Sequence, residues 1–225
     1  MPSFGVVFDA DGVLFDSERQ SLEALRLAVD RVTEGKIAFE ADLLDLLCGR
    51  DDDSITAYLN QNHGFSLDPQ SFRQMKLECY RQVIANDPIT AAPGAIALLD
   101  NLVAASVPYA IATAAIRAKL DLSLATLGLA HRFPIITSVD DASVGKPDPA
   151  VFTVTARRLG LDPKRMIVFE DSINGIRAAN DAGMISVGVA GTFKPQQLAL
   201  ARHVVNSLQQ VTVPLLRQWV DEDSR

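Results

Sequence analysis

Cysteine, aromatic residues and positive charge are all in short supply in this chain of 225 residues. There are two Cys, one Trp, three Tyr and ten Phe. Cys48 and Cys79 stand in no metal-binding spacing, which argues against a zinc site or a disulfide framework and fits free thiols in a reducing cytosol. Lys and Arg number 21 against 28 Asp and Glu, a net charge of −7. An extended phosphate backbone is therefore a poor partner, and nucleic acid is not expected. Any anionic ligand has to be held by a few local cations and a metal, not by the overall field. His63, His131 and His203 share no ligand spacing and are expected in surface or loop positions. No apolar run approaches the roughly 18 residues of a membrane span. Met1-Pro2-Ser3 leads into a strand-like segment, with no basic stretch followed by an apolar h-region. The expected location is cytoplasmic, with no membrane partner.

What is present is an ordinary globular balance, 48% hydrophobic and 22% charged, long enough for a large core with a smaller insert. Phe4 to Phe8 is apolar and β-prone and ends at Asp9, as expected of a strand buried on both faces of a parallel sheet. Four later segments repeat the pattern: Tyr109 to Thr113, Ile135 to Thr137, Met166 to Phe169, and Ile185 to Val189. Between them lie helical patterns, with Ile96, Leu99, Leu102 and Val103 predicted to share one face and Phe152, Ala156 and Leu159 another. A third face carries Ile173, Ile176 and Ala179. Asp148-Pro149 reads as a helix start, and Gly183 as the stop of a helix that begins near Ser172. The alternation predicts a doubly wound, Rossmann-like α/β core.

Residues 17–89 break that alternation. Leu22, Leu25, Val29 and Val32 mark an amphipathic helix, and further helical stretches follow near 40–47, 54–62 and 69–85. The chain thus reads as a core of 1–16 and 90–225 with a helical insert at 17–89 after the first strand. Asp51-Asp52-Asp53 is expected to cap the helix from Ser54 and present a solvated face. Trp219 is expected to pack the last helix on the core, and the tail from Asp221 to Arg225 to fray.

In a doubly wound sheet, ligands bind beyond the carboxyl ends of the strands. Those ends here carry Asp9-Ala10-Asp11-Gly12-Val13, Thr113-Ala114-Ala115, Gly145-Lys146-Pro147-Asp148-Pro149 and Glu170-Asp171. Four carboxylates, a lysine and a hydroxyl thus meet on one rim, and the carboxylates repel one another unless a cation sits among them. Oxygen ligands with a phosphate partner suit Mg²⁺, and Lys146 adds charge suited to a phosphoryl group in transfer. A carboxylate so placed can attack phosphorus. A second, two residues on, can serve as acid and then base.

The order of these four motifs resembles the haloacid dehalogenase superfamily, in particular its phosphatase and β-phosphoglucomutase-like branch, over essentially the whole chain. The resemblance implies that Asp9 is the nucleophile and a metal ligand. It makes Asp11 the acid/base, with its carbonyl on the metal. Thr113, Ala114 and Lys146 would hold the phosphoryl group. Asp171, with Glu170 assisting through water, would complete the Mg²⁺ site. The insert would be the family's helical cap, with Phe15-Asp16-Ser17 and Asp87 to Ala92 as hinges and Arg50 and Lys76 as substrate contacts. Asp11 argues against dehalogenation, because the family's dehalogenases lack it.

The expected activity is hydrolysis of a small phosphorylated metabolite by a monomer or small homo-oligomer. A phosphosugar mutase is the alternative. Family mutases carry hydroxyl, lysine and asparagine groups after the Thr113 position and a cap histidine near residue 21. Here those positions read Ala114-Ala115-Ile116-Arg117 and Ser21, with Arg117 the one group able to supply charge. A phosphonatase would need a Schiff-base lysine in the cap, for which Lys36 and Lys76 are candidates without supporting context. A non-catalytic phosphometabolite sensor would show erosion of Asp9, Asp11, Lys146 or Asp171, and all four are present.

Overall fold

A computed structural model describes residues 4–37, 43, 46, 47, 50–142 and 144–223. The helical stretch expected near 40–47 lies largely outside the described residues, as do Cys48, Gly49, Met1-Pro2-Ser3 and Ser224-Arg225. Two compact units form, one from residues up to Asp16 and from Thr90 on, the other Ser17–Ile89. In chain order the elements begin with β1 (Gly5–Phe8), β2 (Phe15–Asp16), α1 (Glu18–Val32), α2 (Asp52–His63) and α3 (Pro69–Asn86). There follow β3 (Thr90–Ala91), α4 (Ala95–Ala104), β4 (Tyr109–Ala112), α5 (Arg117–Thr126), β5 (Ile136–Thr137), α6 (Val139–Ala142) and α7 (Ala150–Leu159). The chain ends with β6 (Met166–Glu170), α8 (Ile173–Asp181), β7 (Ile185–Val189), β8 (His203–Val205) and α9 (Val213–Asp223).

The larger unit is a doubly wound α/β sheet. Six strands run in the order β5-β4-β1-β6-β7-β8, and every neighbouring pair is parallel. The continuous apolar runs explain why: β1, β4, β6 and β7 are buried at every residue, which needs helices on both faces. Phe8 and Phe169 stack across the β1–β6 pair with ring centroids 5.4 Å apart. The winding reverses at β1, with β4 on one side and β6 on the other, so its carboxyl end is the switch point where sheets of this kind bind ligands.

Three features differ from the sequence pattern. Strand β8 and the antiparallel ribbon of β2 and β3, pairing Phe15 with Ala91 and Asp16 with Thr90, were not anticipated. None of the three carries an apolar run like those of the central strands. On α4, Ala95, Leu98, Leu99 and Leu102 are buried, whereas Ile96 and Val103 are exposed. The helix is apolar nearly all round, so spacing alone could not choose the arc. His203 is neither a surface nor a loop residue: it lies half-buried in β8 and stacks on Trp219 of α9 with centroids 4.5 Å apart.

The smaller unit is helical. Ala24, Leu25, Ala28 and Val29 form the buried stripe of α1, which packs on α3. Asp51 caps α2 by accepting from the Ser54 amide at 2.7 Å, and Gly64 ends it in the left-handed conformation that glycine tolerates. Asp68 caps α3 ahead of Pro69. Asp52 is not on a solvated face: its buried carboxylate accepts from Arg73 Nε at 3.0 Å and from Lys76. Cys79 is buried and free, and burial pushes its thiol above the usual value. Among the described residues no helix is long and apolar enough to cross a membrane.

Candidate active site

The loop after β1 turns tightly on itself. The amides of Leu14 and Phe15 reach the Ala10 carbonyl at 2.9 and 3.3 Å, and the Gly12 amide reaches the Phe15 carbonyl at 2.8 Å. Gly12 has φ of 79°, and a side chain there would overlap the Asp171 carboxylate, so glycine is required twice over. Asp9 is fixed at the end of β1, where its amide donates to the Phe169 carbonyl at 2.9 Å.

Asp9, Glu170 and Asp171 are all buried, and one carboxylate oxygen from each lies within 4.8 Å of the others. Lys146 enters this cluster from the loop before α7 with its side chain only 5% exposed. Its ammonium donates to Asp9 Oδ1 at 2.6 Å, to Glu170 Oε1, and to the Ala112 carbonyl at 3.2 Å. It also sits 4.9 Å over the Phe152 ring. Both oxygens of Glu170 are engaged, since Oε2 accepts from the Ser172 amide at 3.0 Å and hydroxyl at 2.9 Å. Ser172 in turn caps α8 through the Gly175 amide. Asp171 Oδ2 accepts from the Thr192 hydroxyl at 2.5 Å.

Electrostatics single out this cluster. Burial raises the Asp9 carboxyl well above the usual range; Lys146 opposes this, while Glu170 and Asp171 reinforce it. Burial likewise pushes Asp171 up to about 6 against the Thr192 hydrogen bond. Burial works against the charge on Lys146, yet Asp9 and Glu170 together hold it above an ordinary lysine. Three carboxylates less one ammonium leave −2 when all are ionised. A buried excess of that size favours either protons or a cation. An all-oxygen donor set of this charge fits a hard divalent ion such as Mg²⁺.

The other residues singled out from the sequence fall in several places. Thr113 is buried at the end of β4, with its amide on the Thr137 carbonyl and its hydroxyl accepting from the Ala115 amide at 3.0 Å. Ala114 is exposed beside it. Asp11 is not part of the buried cluster; both its oxygens lie 3.0 Å from Lys119 Nζ. Arg117, the candidate for extra charge, pairs with Asp121 at 2.8 Å. Within the helical unit Arg50 is exposed and Lys76 is held on Asp52. Sequence reasoning missed Thr192 and Lys119. Ser172, read from the sequence as the start of a helix, is the cap of α8, whereas the other two carry no local signal.

Residues 6–189 match the family described as haloacid dehalogenase-like hydrolase. The chain is 29% identical to a validoxylamine A 7'-phosphate phosphatase from Streptomyces hygroscopicus subsp. limoneus, over 92% of this chain and 95% of that protein. It is also 29% identical to a fructose-1-phosphate phosphatase from Escherichia coli (strain K12), over 82% and 95%. Among solved structures, a β-phosphoglucomutase from Clostridium difficile superposes with a TM-score of 0.80 at 26% identity, covering 99% of this chain and 98% of that one.

Proposed function

The chain belongs to the haloacid dehalogenase-like hydrolase family, and from that premise we propose that it hydrolyses a small phosphorylated metabolite, a phosphomonoester, through an aspartyl phosphate on Asp9. The observation that carries this reading is the buried −2 cluster at the end of β1, with Lys146 within 2.6 Å of Asp9. A phosphoryl group needs a nucleophile and neutralising charge at one point, and this is where the chain supplies both.

Asp9, Asp171, Glu170 and the Asp11 carbonyl would hold Mg²⁺, which supplies positive charge for the phosphoryl oxygens. An Asp9 oxygen attacks phosphorus, and the bond from phosphorus to the ester oxygen breaks. Asp11 gives its proton to the departing oxygen. Water then attacks the aspartyl phosphate, Asp11 takes a proton from that water, and inorganic phosphate leaves with Asp9 regenerated. Lys146, the Thr113 hydroxyl and the Ala114 amide hold the phosphoryl oxygens. The helical unit selects the substrate, with Arg50 and Lys76 as its contacts.

Hydrolysis is preferred to a mutase reaction because Arg117, the residue able to supply charge for a second phosphate, is engaged by Asp121. Two phosphatase-named relatives support the same choice. The test is phosphate release from a panel of phosphorylated metabolites, with Mg²⁺ and with EDTA, for the wild type and Asp9→Asn. Release that needs the metal and vanishes in the variant is expected. Retention of most activity by Asp9→Asn would sink the mechanism.

A further inference from the structure

We propose that Lys119 is a positioning residue that aims the Asp11 carboxylate for proton transfer. The inference rests on Asp11 being the acid/base, as proposed above, and adds a residue outside the four motifs. Its basis is one contact between distant parts of the chain: Lys119 Nζ lies 3.0 Å from both Asp11 Oδ1 and Asp11 Oδ2. A single ammonium equidistant from the two oxygens holds the head of the carboxylate in one direction, and so selects the rotamer in which Asp11 points.

The topology makes the contact possible. Strands β1 and β4 are neighbours in the sheet, so the loop carrying Asp11 lies beside the one that leads into α5. Lys119 stands in the first turn of α5, whose N-terminus lacks any acidic residue. A cation there is disfavoured by the helix dipole, so its position is set by what it reaches. The other groups at that helix end are otherwise engaged: the Arg117 amide donates to Asp140 at 2.8 Å and its guanidinium to Asp121. Backbone bonds of Gly12, Leu14 and Phe15 hold the loop around Asp11, and Lys119 acts on the rotation of its side chain. Both side chains stay partly open to solvent, Lys119 at 23% and Asp11 at 34%, as a group that meets a departing oxygen must.

Proton donation matters in proportion to how poor the leaving group is. An alkoxide needs the proton, whereas 4-nitrophenolate departs without it. The experiment compares kcat/KM for an alkyl phosphomonoester and for 4-nitrophenyl phosphate, in wild type, Lys119→Met, Lys119→Gln and Asp11→Asn. The ratio of the two values is internal to one preparation, so partial unfolding cancels. A misaimed catalytic group costs on the order of 10²-fold. Both lysine variants are therefore expected to lower the alkyl-to-nitrophenyl ratio by about that factor, in the direction that Asp11→Asn lowers it. An unchanged ratio in both lysine variants, with Asp11→Asn still lowering it, would overturn the role of Lys119 alone. So would an equal fall on both substrates with weaker inhibition by inorganic phosphate, which would make Lys119 a phosphate anchor. An unchanged ratio in Asp11→Asn would instead remove the reading of Asp11 on which the inference stands.

Discussion

Lys146 and Asp9 form a buried ion pair, Nζ to Oδ1 at 2.6 Å, and the same ammonium also serves Glu170. One cation thus stands among three carboxylates, and the two partners of the pair are not equivalent to the fold. Deleting the lysine takes the cluster from −2 to −3, whereas neutralising Asp9 takes it to −1.

Lys146→Met is therefore expected to lower stability by about 3 kcal/mol, the cost of stranding buried charge. In a chain of this length that is a fall of roughly 10 °C in Tm, with turnover lost. Asp9→Asn is expected to lose turnover with Tm unchanged or raised. Thermal melts of the two metal-free variants check this; a larger fall for Asp9→Asn would show that the cluster is not short of positive charge.

The proposed metal site has a pH signature. The Asp171 carboxyl is raised from 3.8 to about 6 in the folded chain. Between those values the native state binds more protons than the unfolded one, so this group's contribution to stability is full below pH 3.8 and declines as pH rises through about 6. The decline is on the order of 3 kcal/mol. A divalent cation offsets it only where the carboxylates are ionised. Added Mg²⁺ is expected to raise Tm by several degrees at pH 7.5 and hardly at pH 5, and Asp171→Asn should abolish the effect at both. An equal Mg²⁺ effect at the two pH values would separate metal binding from this carboxylate.

Gly175 sets the place of Glu170. A Cβ there would overlap the Glu170 carboxylate, which Ser172 and Lys146 hold from its two sides. Gly175→Ala should push Glu170 off Lys146 and cut kcat by about 10²-fold. Gly183 provides the contrast, with φ of 73° and nothing within 4 Å of its added Cβ. Gly183→Ala should cost about 1 kcal/mol of stability and leave kcat alone. Similar kcat values for the two variants would show that Gly175 does not act through Glu170.

These contrasts show where the sequence was readable. The sheet core could be traced because each central strand is an unbroken apolar run ending at a polar residue. That same junction points to Asp9, Thr113 and Glu170-Asp171 as neighbours beyond the strand ends. Lys119 could not be found this way, because a lysine in a helix's first turn looks like any surface charge until Asp11, 108 positions away, is beside it. Thr192 is hidden for the same reason. Asp52 misleads in the opposite direction: three successive aspartates read as solvated, yet partners 21 and 24 positions further on bury the middle one. Local pattern reports burial and period; it does not report which distant charge a side chain will meet.

Asp52 also separates structure from recognition in the helical unit. It is 7% exposed and accepts from both Arg73 and Lys76. Asp52→Ala removes two charge-assisted hydrogen bonds and leaves two cations close together, a loss of about 2 kcal/mol. Lys76→Met leaves Asp52 still held by Arg73, so its effect on stability should stay within about 1 kcal/mol. If Lys76 contacts the substrate as proposed, Lys76→Met raises KM for the preferred metabolite with little change in Tm. KM for 4-nitrophenyl phosphate, which offers the helical unit no polyol or second anion, should stay near wild type. A Lys76→Met variant that melts early and binds both substrates normally would assign Lys76 to the Asp52 ion pair alone.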